Sequence, residues 1–274
     1  VPIRLGPHVE QLAPETGRAY PGGGPLVVTG ADTRLVIDST LTTELPGHDG
    51  FLISHHHEDH VAGIAASGKP AAVHPADLAS VSDWSAFTTA CGYPDPRWVT
   101  LMNEDFQWAA IENVRPLDLD TVHDLGGGVT VRAIHLPGHT PGHCGFLIEP
   151  DGVFYLGDID LTRFGPYYGD AHADLTGTRQ SLDAVESIPA AVRATYHQKG
   201  PFQTDADFLT ALRDYREILD RRHHQVAEAY AQDPSVTAER LVGQGIVYRP
   251  GRSPSWGPDA ERRMIQRHLD ELRG

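Results

Sequence analysis

The segment Ser54-His55-His56-His57-Glu58-Asp59-His60 packs four imidazoles and two carboxylates into seven residues. His55 and His57 stand two apart and can project together from a loop. Asp59 and His60 follow at the turn into what reads as a helix. Alone, the segment reads either as a solvated polar loop or as part of a metal site. One segment cannot close two metal sites, so further ligands should sit at the ends of later strands. His139 lies in Leu136-Pro137-Gly138-His139-Thr140-Pro141-Gly142-His143, Asp158 in Leu156-Gly157-Asp158, and His197 in Ala194-Thr195-Tyr196-His197-Gln198. Imidazole and carboxylate ligands without thiolate suit zinc, manganese or iron.

Short apolar runs separated by turn residues must position these groups. Residues 25–29 and 33–38 read as strands joined by Gly30-Ala31-Asp32, and 51–54 as a short strand buried on both faces. Residues 61–67 read as a small-residue helix and 71–74 as a further strand. Residues 83–108, aromatic and punctuated by Pro94 and Pro96, read as a lid or an irregular insertion. Residues 114–125 read as a strand and turn. Gly126-Gly127-Gly128 is a hairpin turn before a strand over 129–134. Asp151-Gly152 joins strands over 144–148 and 153–156. Helices follow: one over 179–187 capped by Thr178, a long one capped by Thr204, and a last one with Pro258 in its first turn. Phe208, Leu212, Tyr215 and Leu219 recur at helical spacing and should face the core.

At the chemistry-bearing residues the chain resembles the metallo-β-lactamase superfamily. His55-His56-His57-Glu58-Asp59-His60 matches its HxHxDH pattern. Pro137-Gly138-His139-Thr140-Pro141-Gly142-His143 matches the PGHTxGH pattern of the glyoxalase II-like branch, and Leu156-Gly157-Asp158 its LGD element. With Asp38 at the end of an early strand, the resemblance spans roughly residues 25–200.

The resemblance implies an α/β fold, the αββα sandwich of two mixed β-sheets with outer helices. A helical C-terminal extension follows, so that residues 1–202 form the catalytic domain and 203–274 pack on it. It also implies that His55, His57 and His139 hold a first metal, that Asp59, His60 and His197 hold a second, and that Asp158 bridges both. The cofactor is then two zinc ions, with iron or manganese as alternatives. Water held between two cations about 3.5–4 Å apart becomes a nucleophile at neutral pH, and Asp59 orients it and handles its proton. His56 and Glu58 should point away from the metals, to supporting or surface positions. His143 reads as a packing residue or a support for the ligands, Cys144 as buried and inert, and Arg221-Arg222-His223-His224 as a solvated helix face. Tyr167 and Tyr168, shortly after Asp158, read either as turn packing or as the lining of a substrate pocket.

Composition narrows the function. Lys and Arg number 22 against 37 Asp and Glu, a net charge of −15. That argues against nucleic acid or anionic lipid as partner unless a local basic patch exists. Two cysteines make no disulfide framework. No apolar run approaches the ~20 residues of a membrane span, and residues 1–24 lack a charged n-region with an apolar h-region. A cytoplasmic protein acting on a small molecule is expected. The first reading is a dinuclear hydrolase of a thioester, lactone or ester. The alternatives are a nuclease or phosphodiesterase of the same superfamily, against which the charge counts, and a mononuclear iron dioxygenase acting on persulfide. A non-catalytic binding module has no need of a full ligand set.

Overall fold

Alternation of apolar side chains along very short strands sets the layers. A computed structural model describes residues 2–13 and 17–274. Strands β1 (Ile3–Arg4), β2 (Val9–Gln11), β3 (Leu26–Thr29), β4 (Arg34–Ile37), β5 (Gly50–Ile53), β6 (Ala71–Val73) and β7 (Val114–Pro116) form one sheet in sequence order. Its first four strands are antiparallel and its last four parallel. Strands β8 (His123–Asp124), β9 (Thr130–His135), β10 (Cys144–Glu149), β11 (Val153–Tyr155) and β12 (Val192–Ala194) form the second sheet, in the order β12-β11-β10-β9-β8. Only β11 and β12 run parallel there.

Leu26, Val28, Ile37 and Leu52 point inward and meet Val131, Phe146, Ile148 and Tyr155 of the second sheet. Their neighbours Val27, Val36, Phe51 and Ile53 point outward, as the two-residue repeat of a strand requires. Helices cover that outer face: α1 (Glu58–Val61), α2 (Ile64–Ser67) and α3 (Leu78–Ser82) contribute Val61, Ile64 and Val81. The outer face of the second sheet, through Leu147 and Phe154, is covered by helices from the C-terminal half. The two mixed sheets with outer helices match the expected α/β sandwich.

Residues 83–108 are largely helical rather than irregular. Helices α4 (Trp84–Cys91) and α5 (Pro96–Thr100) start where Asp83 and Asp95 accept hydrogen bonds from Ala86 N and Arg97 N. Pro96, which in the sequence reads as a breaker, occupies the first helical turn, where its missing N–H costs nothing. A π-helical turn follows at Leu101–Asp105. Phe87, Trp98, Met102 and Phe106 are buried together.

Helix α6 (Leu175–Ser187) begins a turn earlier than expected. Its cap is Asp174, whose carboxylate accepts from Gly177 N, while Thr178 donates its hydroxyl to Asp174 O. Helix α7 (Asp205–Gln232) is capped by Thr204 as expected, and Phe208, Leu212, Tyr215 and Leu219 are all buried against Phe154 and Leu182. Arg222 is not on a solvated face: it is buried and donates to Pro166 O at 2.6 Å. Helices α8 (Ala238–Leu241) and α9 (Gly257–Arg273) complete the chain, with Ile265 and Leu269 packed on Val226 of α7. No helix among the described residues is long and apolar enough to cross a membrane.

Candidate metal centre

The chemistry-bearing residues follow the C-terminal ends of strands from both sheets: Asp38 after β4, Ser54–His60 after β5, His139 after β9, Asp158 after β11 and His197 after β12. Asp38 ties this edge together. It is fully buried with a φ of 63°, a left-handed conformation that Asp tolerates better than most residues. Its carboxylate accepts from Ser54 N and Ser54 Oγ, both at 2.7 Å, from Tyr155 Oη at 2.7 Å, and faces His60 Nδ1 at 2.9 Å.

The expected ligands fall into two of the clusters of ligand-type atoms, each within 4.8 Å: His55, His57, His139 and Asp158, and Asp59, His60 and His197. In the first, His139 Nε2 stands 3.0 Å from His57 Nδ1 and 3.2 Å from His55 Nε2. In the second, His197 Nε2 stands 3.1 Å from Asp59 Oδ2. Asp158 reaches both. Its Oδ2 is 3.4 Å from His139 Nε2, and its Oδ1 is 2.9 Å from His60 Nε2 and 3.6 Å from His197 Nε2.

The outer nitrogen of each imidazole is occupied. His55 Nδ1 meets Ser54 Oγ at 3.0 Å, His57 Nε2 meets Asp170 Oδ2 at 2.6 Å, and His60 Nδ1 meets Asp38. His139 Nδ1 meets Tyr167 O at 2.9 Å, and His197 Nδ1 meets Gly22 O at 2.9 Å. Donation outward leaves the inner nitrogens with lone pairs, the tautomer a metal ligand needs. Inner lone pairs facing each other at 3.0–3.2 Å repel unless a cation lies among them. Asp59 Oδ2, His60 Nε2 and Asp158 Oδ1 are buried without hydrogen-bond partners, which is costly unless another group satisfies them. The donor set therefore fits divalent cations.

The carboxylates favour positive charge at the inner nitrogens, a charge that divalent cations would supply in place of protons. Burial by itself depresses His197, but Asp158 and Asp59 lift it to about 9. Burial likewise opposes charge on His60, and Asp158, Asp59 and Asp38 reverse this, holding it well above the ordinary imidazole value. His55, buried among His60, His57 and His139, is held well below it. Burial would raise the Asp158 carboxyl, yet His60 and His197 hold it well below the usual range.

His143 is buried and positions Asp158: its Nε2 accepts from Asp158 N at 3.1 Å, while Nδ1 faces Leu136 O at 3.0 Å. Burial, then His139, depresses it to about 3, so it stays neutral. Gly157 turns the chain with φ +55°, and a Cβ there would lie 2.6 Å from His143 Nε2. Only glycine fits both demands.

A cavity of about 280 Å³ opens on the clusters. Its walls are aromatic: Tyr20, Tyr93, Trp98, Phe164, Tyr248 and Trp256, together with Tyr167. Among the described residues four carboxylates line it, Glu58, Asp59, Asp158 and Asp170, and no Lys or Arg does. Tyr167 thus lies where the pocket reading put it, its hydroxyl bonded to Tyr93 and facing Asp170 Oδ1 at 3.2 Å. Tyr168 does not. It is fully buried away from the cavity, with its hydroxyl 2.8 Å from His268 Nε2. Glu58 is not a surface residue: it is buried, lines the cavity and accepts from Tyr20 Oη at 2.9 Å. Burial, then Asp59, raises its carboxyl to about 7.

Sequence reasoning missed Asp77 and Asp170. Asp77 is fully buried and accepts from Thr140 Oγ1 at 2.7 Å, Gly142 N at 2.8 Å and His56 N at 3.1 Å. It thereby joins the two histidine-bearing loops. His56 Nδ1 stands 3.0 Å from it, so His56 does point away from the clusters.

Residues 26–197 match the family profile described as the metallo-beta-lactamase superfamily. A hydroxyacylglutathione hydrolase of Shewanella loihica is 33% identical over 168 residues, covering 61% of this chain and 55% of that protein. The lactamase-like protein ptaB of Pestalotiopsis fici is 25% identical over 245 residues, covering 87% of this chain and 64% of that protein. The chain thus spans between half and two thirds of the length of these relatives. The crystal structure of a metallo-beta-lactamase family protein from Thermus thermophilus superposes with a TM-score of 0.70 at 20% identity, covering 98% of this chain and 94% of that one. The motifs, the two-sheet fold and the profile match agree, and the chain belongs to the metallo-β-lactamase superfamily.

Proposed function

We propose that the protein is a dinuclear metal-dependent hydrolase of a small acyl compound, a thioester, lactone or ester. The observation that carries this reading is the division of Asp158, with Oδ2 toward His139 and Oδ1 toward His60 and His197. In this reading His55, His57 and His139 hold one cation, Asp59, His60 and His197 hold the other, and Asp158 joins them. Zinc suits the donor set best, with iron or manganese compatible. Such cations, when bound, supply a polarised carbonyl and water of lowered pKa.

The chain's own residues do the rest. Asp59 Oδ2, buried and without a hydrogen-bond partner, takes up the proton released during attack. Tyr20 holds Glu58 against the cavity wall. The aromatic lining accepts an apolar acyl group and excludes bulk water. With aromatic walls and no Lys or Arg on that lining among the described residues, an apolar acyl end without a carboxylate of its own is favoured. The reading assigns residues 1–202 to the catalytic unit and 203–274 to a helical extension packed on it.

Elemental analysis of zinc-reconstituted protein, with a panel of thioesters, lactones, phosphodiesters and persulfides, tests this. About two metal equivalents and hydrolysis of an acyl substrate are expected, with fewer equivalents in His55→Ala and Asp158→Ala. A single iron with persulfide oxidation, or hydrolysis confined to phosphodiesters, would overturn it.

A further inference from the structure

Beside the acid-lined cavity lies a second one, of about 450 Å³, with lining of the opposite charge. Arg163, Arg221, Arg222, Arg249 and Arg252 line it, and no acidic residue does among the described residues. Five of the chain's 22 Lys and Arg residues thus converge on one cleft of a protein with net charge −15.

Arg222 has a structural task. It donates to Pro166 O and lies 4.8 Å over the Phe164 ring. The other four are exposed. Some exposed arginines elsewhere pair with aspartates, as Arg97 does with Asp95, Arg213 with Asp214 and Arg240 with Asp233. Arg163, Arg221, Arg249 and Arg252 have no carboxylate partner among the described residues. Like charges gathered this way repel, and a bound anion removes the repulsion. A guanidinium fork matches two phosphate oxygens at once. Phe164 and Tyr248 line both cavities, with ring centroids 5.4 Å apart. The arginine cleft and the metal-centred cavity are therefore two sides of one aromatic wall.

We propose that the arginine cleft binds the phosphate-bearing end of the substrate's leaving group, while the acyl end occupies the aromatic cavity. This rests on the acyl-hydrolase reading above. It narrows the substrate to a thioester of a phosphorylated thiol, of the coenzyme A type, with an apolar or aromatic acyl group.

The test uses metal-loaded protein and the double variant Arg249→Ala/Arg252→Ala, whose side chains are exposed. Adenosine 3′,5′-bisphosphate is titrated by calorimetry. In parallel, kcat/KM is measured for benzoyl thioesters of coenzyme A, glutathione and uncharged N-acetylcysteamine. The wild type should bind the bisphosphate, and the variant at least about tenfold more weakly. The preference for the coenzyme A thioester over the N-acetylcysteamine thioester should fall by a similar factor. Equal binding and an unchanged preference would overturn the subsite and leave the hydrolase reading standing. Arginine-dependent bisphosphate binding with no hydrolysis of any thioester would overturn the leaving-group role, and would overturn the hydrolase reading with it only if lactones and esters are spared as well. A larger loss on the glutathione thioester would replace phosphate by carboxylate. Tighter binding of a short single-stranded RNA than of the bisphosphate would overturn the small-molecule assignment.

Discussion

Oδ2 of Asp170 lies 2.6 Å from His57 Nε2, and Oδ1 of the same carboxylate accepts from Tyr93 Oη at 2.6 Å. One buried group thus orients an imidazole of the first cluster and fixes a wall of the cavity. Burial would raise this carboxyl, but His57 and the hydrogen bonds from His57 and Tyr93 hold it at about 2. It stays ionised and keeps the His57 proton on Nε2. Asp170→Asn retains the shape and loses that control. Metal affinity should fall by about 10- to 100-fold, measured by competition with a chelator. Unchanged affinity would show that His57 is oriented by other contacts.

Asp59 separates hydrolysis from metal binding alone. Its Oδ2 lies 3.1 Å from His197 Nε2, and Oδ1 lies 4.0 Å from His60 Nε2. Asp59→Asn removes the charge and the proton-accepting oxygen. Metal held by His55, His57 and His139 should survive, while kcat drops by about 10²-fold or more. Turnover and metal content are to be read on the same sample. Full activity at normal metal content would remove Asp59 from the chemistry.

Much of the candidate centre is legible because each of its motifs is contiguous. Residues 54–60, 136–143 and 156–158 each carry their ligands within one loop, and each loop follows a strand whose apolar run marks it. Asp77 and Asp170 escape such a reading because their partners are distant in sequence: Asp77 meets Thr140 and Gly142, and Asp170 meets His57. A lone aspartate carries no local mark of that role. The aromatic wall escapes for the same reason, drawing on Tyr20, Tyr93 and Trp256. Strands β1 and β2 are two and three residues long, too short for alternation to register. The helices within 83–108 are legible in principle, since Asp83 and Asp95-Pro96 are start signals. Their prolines, weighed as breakers, hide them. Arg222 shows the limit of helix-face reasoning, because it is buried by the 164–166 turn rather than by its own helix.

Leu212 tests the packing of α7. It is 1% exposed and sits with Phe154 of the second sheet and Leu182 and Val185 of α6. Leu212→Ala should cost about 2–5 kcal/mol, the transfer term plus the cavity left behind. Denaturant unfolding would read this as a lower midpoint with unchanged slope. A chain truncated after residue 202 that stayed folded and active would contradict this packing role.

His268 makes acid stability measurable away from His55, Asp59, Asp158 and their partners in the candidate centre. It is fully buried on α9, with Nε2 2.8 Å from Tyr168 Oη. Nδ1 faces His223 Nδ1 at 3.3 Å, with Glu271 4.0 Å away. Burial is the main cause that lowers it, followed by His223, Arg179 and Arg222, to about 3. The unfolded chain should protonate this imidazole near about 6.5. Between those values the unfolded state binds the extra proton, so stability is full above about pH 6.5 and declines as pH falls toward 3. The loss is at most about 1.4 kcal/mol per pH unit, hence up to about 2 kcal/mol at pH 5. Other groups titrate in the same range, so the comparison is with His268→Gln, which cannot take the proton. Denaturant midpoints of the two proteins at pH 7.5 and pH 5 should diverge, the wild type losing more. Parallel losses would mean that His268 accepts its proton in the folded state at no cost, through Glu271 or an opening of α9 from α7.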